Sequence, residues 1–221
     1  MSIITQLVIL TLLLLLVNAD QYCDNLLKRY TDDCVTIKNC CELRRVLPNR
    51  ATSGVYKMKT NAVGTYTTTD VYCDMITDGG GWIVIQRNRN NSRLSFNRFW
   101  KSYEDGFGDL NDDFWAGLKL VHILTQTGQW ELRMDIQKAD NTWTYLHYNH
   151  FIIGSASQEY RLTVGEFTGK TYNYFSHHNG LKFSTTNNDN DHSPGNCASY
   201  HRSGWWYHFC HHINLNEVPL T

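Results

Sequence analysis

The chain has 221 residues, with 20 lysines and arginines against 21 aspartates and glutamates, for a formal net charge of −1. The basic residues are scattered rather than blocked, which argues against nucleic acid as a partner. Aromatic side chains make up 13% of the sequence, and the length suits one large domain or two small ones with a substantial core.

At the N-terminus, Ile3 to Val17 is almost wholly apolar and runs into "VNA" before Asp20. An apolar run of about 11–15 residues falls short of the roughly 20 needed to span a bilayer. With small or branched residues at the −3 and −1 places, it predicts a signal peptide over residues 1–19, cut after Ala19, and a secreted, extracellular product. The absence of Lys and Arg from the first residues keeps a signal anchor as the alternative. Seven cysteines follow: Cys23, Cys34, Cys40, Cys41, Cys73, Cys197 and Cys210. In a secreted chain they read as disulfides, and an odd number leaves one thiol over or joined to another chain. No pair has C-x-x-C spacing, so a zinc ribbon is not indicated.

Residues 20–37 form a cysteine-containing lead-in, and a domain is expected over 38–221. "CELRRVL" places Leu43, Val46 and Leu47 on one helical face. "SGVYKMK" and "TYTTTDVYCDM" read as strands, and "TDGGGWIVIQR" as a glycine turn feeding a strand from Trp82 to Gln86. In "SFNRFWKSYEDGFG", Phe96, Phe99, Trp100 and Tyr103 have helical spacing, with Ser95 as N-cap and Gly106 as stop. "NDDFWAGLKLVHILTQTG" repeats the device, with Asp112 or Asp113 as cap, Phe114, Leu118 and Val121 as the buried stripe, and Gly128 as stop. "ELRMDIQ" alternates, with Leu132, Met134 and Ile136 inward. "TWTYLHYNHFII" and "EYRLTVGEF" behave alike, the latter with Tyr160, Leu162 and Val164 on one face. The result is an α+β design with a mainly antiparallel sheet. Asn90 heads an N-x-S sequon and is a candidate glycan site.

After Gly169 the periodicity decays. A loop-rich region this long is either disordered or functional and pinned, and its aromatics and two cysteines argue for pinning. Within it lies "NNDNDHSPGNC", residues 187–197. Calcium takes about six to eight oxygen ligands, and Asp189 and Asp191 stand two apart before a Pro-Gly turn. This is not an EF-hand. Counted from Asp189, positions six and twelve are Pro194 and Tyr200; counted from Asn187, they are His192 and Ala198. The bland alternative is a solvated polar loop. Seven of the ten histidines lie between His177 and His212. A zinc site is the sharp reading, but the adjacent pairs point neighbours apart and no helical H-x-x-x-H is present, so surface and pocket histidines are expected instead. Trp205 and Trp206 read as core. No G-x-S-x-G, P-loop or paired-carboxylate constellation suggests an enzyme.

The segments "TSGVY", "VYCDMITDGGGWIVIQRN", "FNRFWKSYEDGFGDLNDDFWAGL", "YRLTVGEFTG", "HNGLKFSTTNNDNDHSPGNCASY" and "GWWYHFCHHINLN" occur in order. Together, over roughly residues 38–216, the chain resembles the fibrinogen C-terminal domain family, which includes ficolins, tachylectins, angiopoietins and the fibrinogen chains. The resemblance implies an N-terminal disulfide subdomain, a central antiparallel sheet with flanking helices, and a loop-rich lobe carrying calcium and a ligand pocket. By resemblance, the ion is held by the side chains of Asp189 and Asp191 and the carbonyls of Ser193 and Gly195, and Asn187 stands where many members have Asp. Cys41 is implied to pair with Cys73 and Cys197 with Cys210. A Cys23–Cys34 pair would then leave Cys40, with an interchain bond and a disulfide-linked homo-oligomer open. The implied pocket for acetylated sugars uses Phe209, Cys210 and His211, with a cis Phe209–Cys210 peptide, and puts His201 where some members have an aromatic wall.

Members usually read "NLNG" and continue, whereas this chain reads "NLNEVPLT", with Glu217 in place of the glycine. The expectation is a central sheet lacking a strand, with an unpaired edge and a weakened pocket. The functional reading is a secreted, calcium-binding lectin for acetylated carbohydrate or cell-surface glycans in innate recognition. The alternatives are a ligand for a protein receptor, angiopoietin- or fibrinogen-like, or a short product that binds nothing.

Overall fold

The computed structural model of the chain describes residues 11–18, 37–48, 51–62, 64–89 and 93–217. Cys23, Cys34, Asn90 and the expected cleavage point after Ala19 lie outside them. Ten strands are present among the described residues: β1 (Thr11–Asn18), β2 (Gly54–Ala62), β3 (Thr65–Asp74), β4 (Trp82–Arg89), β5 (Phe107–Gly108), β6 (Phe114–Trp115), β7 (Trp130–Gln137), β8 (Trp143–Tyr148), β9 (Phe151–Ile153) and β10 (Leu162–Val164). The helices are α1 (Cys40–Val46), α2 (Trp100–Asp105), α3 (Leu118–Thr125) and α4 (Cys197–Tyr200). The main sheet runs β2-β3-β4-β1-β7-β8, with β6 beside β4 and β5 beside β6, and β9 and β10 form a separate pair. Every pairing between these strands is antiparallel.

Strand chemistry follows the alternation. Along β7, Trp130, Leu132, Met134 and Ile136 are buried and the intervening residues half-buried, so one face is committed to the core. The β2–β3 hairpin is laced by a Lys57–Asp70 ion pair at 2.9 Å and a Thr60–Thr67 hydroxyl contact at 2.9 Å, the cross-strand pairing that steadies register.

The gap expected in the central sheet is filled here by Thr11–Asn18, and removal of that segment as a leader would reopen it. β1 lies between β4 and β7 and pairs with both, from Thr11↔Arg89 and Thr11↔Gln137 onward. A strand in that place gives the facing backbone groups of β4 and β7 partners that an open edge would leave unpaired. These are the residues expected to form the apolar run of a signal peptide, so the strand and the leader are alternative uses of one segment.

Two helices start later than expected. α2 begins at Trp100 with Phe99 as N-cap, and Ser95 instead closes a local turn by accepting the Asn97 N–H at 3.2 Å. Phe96 is buried but lies outside the helix, and Phe99 is exposed. α3 begins at Leu118 behind Gly117, not at an aspartate cap. Phe114 belongs to β6, and buried Asp113 pairs with Arg89 at 2.9 Å. In both cases buried aromatics at helical spacing came from non-helical chain.

The disulfide expected at Cys41–Cys73 is formed by Cys40 and Cys73, with a Cα–Cα distance of 5.5 Å. Successive residues on a helix point about 100° apart. On α1 it is Cys40 that is enclosed beside Cys73, while Cys41 is half-buried. The Cys197–Cys210 bond is as expected.

The core is strongly aromatic. Tyr103 of α2 is surrounded by Phe107, Trp115 and Phe183, with ring centroids 5.1–5.7 Å apart. Its hydroxyl donates to the Phe96 carbonyl at 2.6 Å and accepts the Gly204 N–H at 2.9 Å. A Cβ at Gly204 would meet the Tyr103 ring at 2.7 Å and Phe183 at 2.8 Å, so only glycine lets the backbone come this close. Trp205 and Trp206 are buried as expected, and the Trp206 indole donates to the Tyr160 carbonyl at 2.8 Å. The loop-rich lobe is thus pinned to the sheet domain by rings that carry polar anchors.

Candidate functional site

The 187–197 stretch is held mainly by its asparagines. Asn187 accepts the Trp100 N–H at 2.9 Å, Asn190 donates to the Phe183 carbonyl at 2.8 Å, and Asn196 caps α4 by accepting the Ser199 N–H at 2.7 Å. These amides tie the loop to α2 and to its own flanks, which leaves the two aspartates for other chemistry. Asp191 accepts the N–H of Ser193 at 2.7 Å and that of Cys197 at 2.9 Å, so its carboxylate is aimed within the turn. Asp189 is exposed, and its carboxylate accepts the Asp191 N–H at 3.3 Å. Burial pushes the Asp191 carboxyl above its usual range against the pull of those backbone N–H groups, and the Asp189 charge adds to the rise. Two carboxylates that repel one another are the arrangement a cation relieves.

The Ser193 and Gly195 carbonyls accept no hydrogen bond from the described residues. The donor set is therefore two carboxylates and two open carbonyls on one short turn, all hard oxygen, which suits calcium with waters completing its shell.

The turn connects directly to the second group of expected residues. The His192 N–H donates to the His208 carbonyl at 3.0 Å, and the Cys197–Cys210 bond joins α4 to the same loop. No cis peptide occurs among the described residues, so the implied cis Phe209–Cys210 bond is not present. The chain turns instead at Cys210, whose φ of 62° is left-handed, and the turn is closed by His208 N–H donating to the Cys210 carbonyl at 2.9 Å. Phe209 points outward and is exposed, as is Tyr200.

His201 and His211 do come together, and they meet a residue not expected at the site. His201 Nδ1 lies 2.6 Å from one Glu217 carboxylate oxygen, His211 Nε2 lies 3.0 Å from the other, and the two nitrogens are 3.2 Å apart. Burial alone would raise the Glu217 pKa, but hydrogen bonds from His201 and His211 bring it down to about 2. His201 also stacks on buried Tyr207, with ring centroids 5.8 Å apart and planes 19° apart.

Glu217 is placed by the segment before it. Asn214 donates to Ser203 Oγ at 2.9 Å and to the Tyr207 hydroxyl at 2.8 Å, and Asn216 donates to the Gly204 carbonyl at 2.9 Å. Gln86 of β4 reaches the Leu215 carbonyl at 2.8 Å and Asn216 Oδ1 at 3.1 Å. The one sequence signal for this triad was the departure at 217 itself.

Comparison with known proteins agrees with this architecture. A family model described as "Fibrinogen beta and gamma chains, C-terminal globular domain" matches residues 36–220. Fibrinogen C domain-containing protein 1-A of Xenopus laevis is 44% identical over 156 residues, which cover 68% of this chain and 34% of that protein. Tenascin-R of Gallus gallus is 42% identical over 164 residues, covering 74% of this chain and 12% of that protein. The chain thus spans about a third or less of these curated relatives. Among solved structures, the fibrinogen-like globe domain of human ANGPTL6 matches with a TM-score of 0.78 at 35% identity, covering 85% of this chain and 82% of that one. A lamprey fibrin D-dimer, complexed with the peptide ligand Gly-His-Arg-Pro-amide, matches with a TM-score of 0.72 at 33% identity, covering 86% of this chain and 65% of that one. The matched span takes in the antiparallel sheet, the Cys197–Cys210 loop and the asparagine-pinned turn alike, and the chain belongs to the fibrinogen C-terminal globular domain family.

Proposed function

We propose that this chain is a secreted, calcium-binding recognition module that takes acetylated carbohydrate on its loop-rich lobe and catalyses no reaction. The observation that carries the reading is the Asp189–Asp191 turn, with its two open carbonyls, wired through His192 and the Cys197–Cys210 bond to His201 and His211. Calcium would brace this turn, which buries little apolar surface of its own, and so set the shape of the neighbouring surface. Calcium sites in extracellular modules bind at roughly 10⁻⁴–10⁻³ M. At tenfold excess over such a Kd, mass action adds about 1.4 kcal/mol.

The test combines melting and retention. Chelator is expected to lower the melting temperature of the wild-type chain, and Asp189→Ala or Asp191→Ala to remove that response. A wild-type melting temperature that ignores chelator refutes the calcium reading. On N-acetylglucosamine resin the wild-type chain is expected to be retained with calcium and eluted by free sugar.

A second reading is favoured by the likeness to the ANGPTL6 globe domain and by exposed Tyr200 and Phe209 beside the site. On it, the lobe presents rings to a protein receptor, and the chain passes through the sugar resin while still responding to chelator.

A further inference from the structure

We infer that His201, His211 and Glu217 form a binding site for a transition metal of the zinc class, separate from the calcium turn. The inference goes beyond the sugar reading and does not depend on it. Two imidazole nitrogens and one carboxylate are a donor set that suits zinc and its neighbours, whereas calcium takes oxygen ligands.

The geometry is close to what the ion requires. Ligands 2.0–2.1 Å from a tetrahedral zinc lie about 3.3 Å from one another. The two imidazole nitrogens are 3.2 Å apart, and each faces a different oxygen of the Glu217 carboxylate, at 2.6 and 3.0 Å. One ligand atom from each residue lies within 4.8 Å of the others, so a modest shift of the side chains accommodates the ion. The side chains are 15%, 17% and 23% exposed, which gives an ion a way in and leaves a fourth position facing solvent. That position would hold water or an oxygen atom of a bound ligand.

The alternative is a triad held by protons alone. In that case His201 Nδ1 and His211 Nε2 both donate to Glu217 while their hydrogens face each other across 3.2 Å. A metal replaces both hydrogens with one shared charge that all three side chains face. The frame is built in advance. Asn216, next to Glu217, is wholly buried and tied to Gly204 and Gln86. His201 follows α4 and lies flat on Tyr207. His211 follows Cys210 of the disulfide. Among the described residues, His211 Nδ1 is enclosed without a hydrogen-bond partner. Ligating histidines normally have such a partner on the far nitrogen, so the affinity should be lower than in a closed structural zinc site.

The test is zinc titration by calorimetry on the chelator-stripped full chain, with calcium in excess so that the aspartate turn is occupied. One zinc per chain is expected. Glu217→Gln and His211→Gln are each expected to weaken binding by about 100-fold or more, since losing even an outer partner of a ligand costs about 10–100-fold. A His177→Gln/His212→Gln double variant, removing the stacked pair at 4.1 Å, should leave affinity unchanged. Because a triad variant could lose its fold, the wild-type chain is also loaded with cobalt, where a strong visible absorption marks a tetrahedral nitrogen–oxygen site. A wild-type chain that takes up no zinc overturns the inference, as does binding that survives Glu217→Gln or vanishes in the double variant. Retention on sugar resin is measured on the same samples, so failure of the metal site and failure of the sugar reading are seen separately.

Discussion

His178 shows how one side chain can set the acid tolerance of the lobe. Its Nδ1 donates to the Trp206 carbonyl at 2.7 Å, and its Nε2 accepts the N–H groups of His212 and Ile213 at 3.4 Å each. Both nitrogens are in use only in the neutral ring, and a second proton would face two backbone donors. Burial lowers its pKa to about 4. The unfolded chain, with a pKa near 6.5, therefore takes up the proton first as pH falls. The contribution is fully present above about pH 6.5 and is lost towards pH 4, about 3 kcal/mol in all. Urea denaturation across that window should show this loss, and His178→Asn should flatten it. Parallel curves for the two proteins would refute the assignment.

Sequence reading at this scale is best where the chemistry is contiguous: Asp189 and Asp191 do share one short turn, and what that turn binds is left to experiment. It could not separate asparagines that staple a loop from asparagines that line an ion, because the amide and carboxylate oxygens of Asn187, Asn190 and Asp191 look alike until their partners are known. Of the His201–His211–Glu217 triad, the sequence set the two histidines at one pocket by resemblance and marked Glu217 only as a departure. Their meeting was not legible, since the spacing follows no helix or strand period and depends on a disulfide turn and a distant clasp.

At the scale of elements, period-2 alternation carried β7 and β8 from sequence to structure almost unchanged. The helices were harder. Phe96 and Phe114 have helical spacing to their successors, yet they are buried from a loop and a short strand. The reason lies in the β5–β6 hairpin. Gly108 has a φ of 96°, and a Cβ there would meet the Asp113 carbonyl at 2.3 Å and Phe114 Cα at 2.6 Å. That tight return places Phe114 opposite Arg87 and Trp115 opposite Gln86, before α3 can begin. Gly108→Ala is expected to destabilise the protein by roughly 1–3 kcal/mol through left-handed strain alone, and by more if the hairpin must open. Urea midpoints measure this, and a shift under about 0.5 kcal/mol would show that the hairpin yields freely. The second glycine in "YEDGFGD", Gly108, gives no hint of such a close approach.

Across the whole molecule, the α+β class and the division into sheet domain and loop-rich lobe were legible, because the loss of periodicity after Gly169 is itself a pattern. The central place of Thr11–Asn18 was not, since an apolar run reads the same whether it forms a leader or a buried strand. Nor was the clasp between Gln86 and the segment Leu215–Asn216, which depends on a side chain inside a strand. Gln86→Met keeps the volume but removes the donor, leaving the Leu215 carbonyl, among the described residues, with only Asn88 at 3.1 Å. We expect a loss of about 1–3 kcal/mol and faster proteolytic cutting within residues 187–217. Cutting at the wild-type rate would show that the lobe is held without the clasp.

The clasp joins residues 129 apart in sequence, and the rings it encloses are shared between early and late chain. During synthesis, Tyr103 and Trp115 emerge about 100 residues before the segment that covers them. At about 5–20 residues per second, their apolar faces stay bare for roughly 5–20 s. The nascent chain therefore passes through a long adhesive interval that ends only when residues 183–216 arrive, and its yield in a cell will depend on what shields those rings in the meantime.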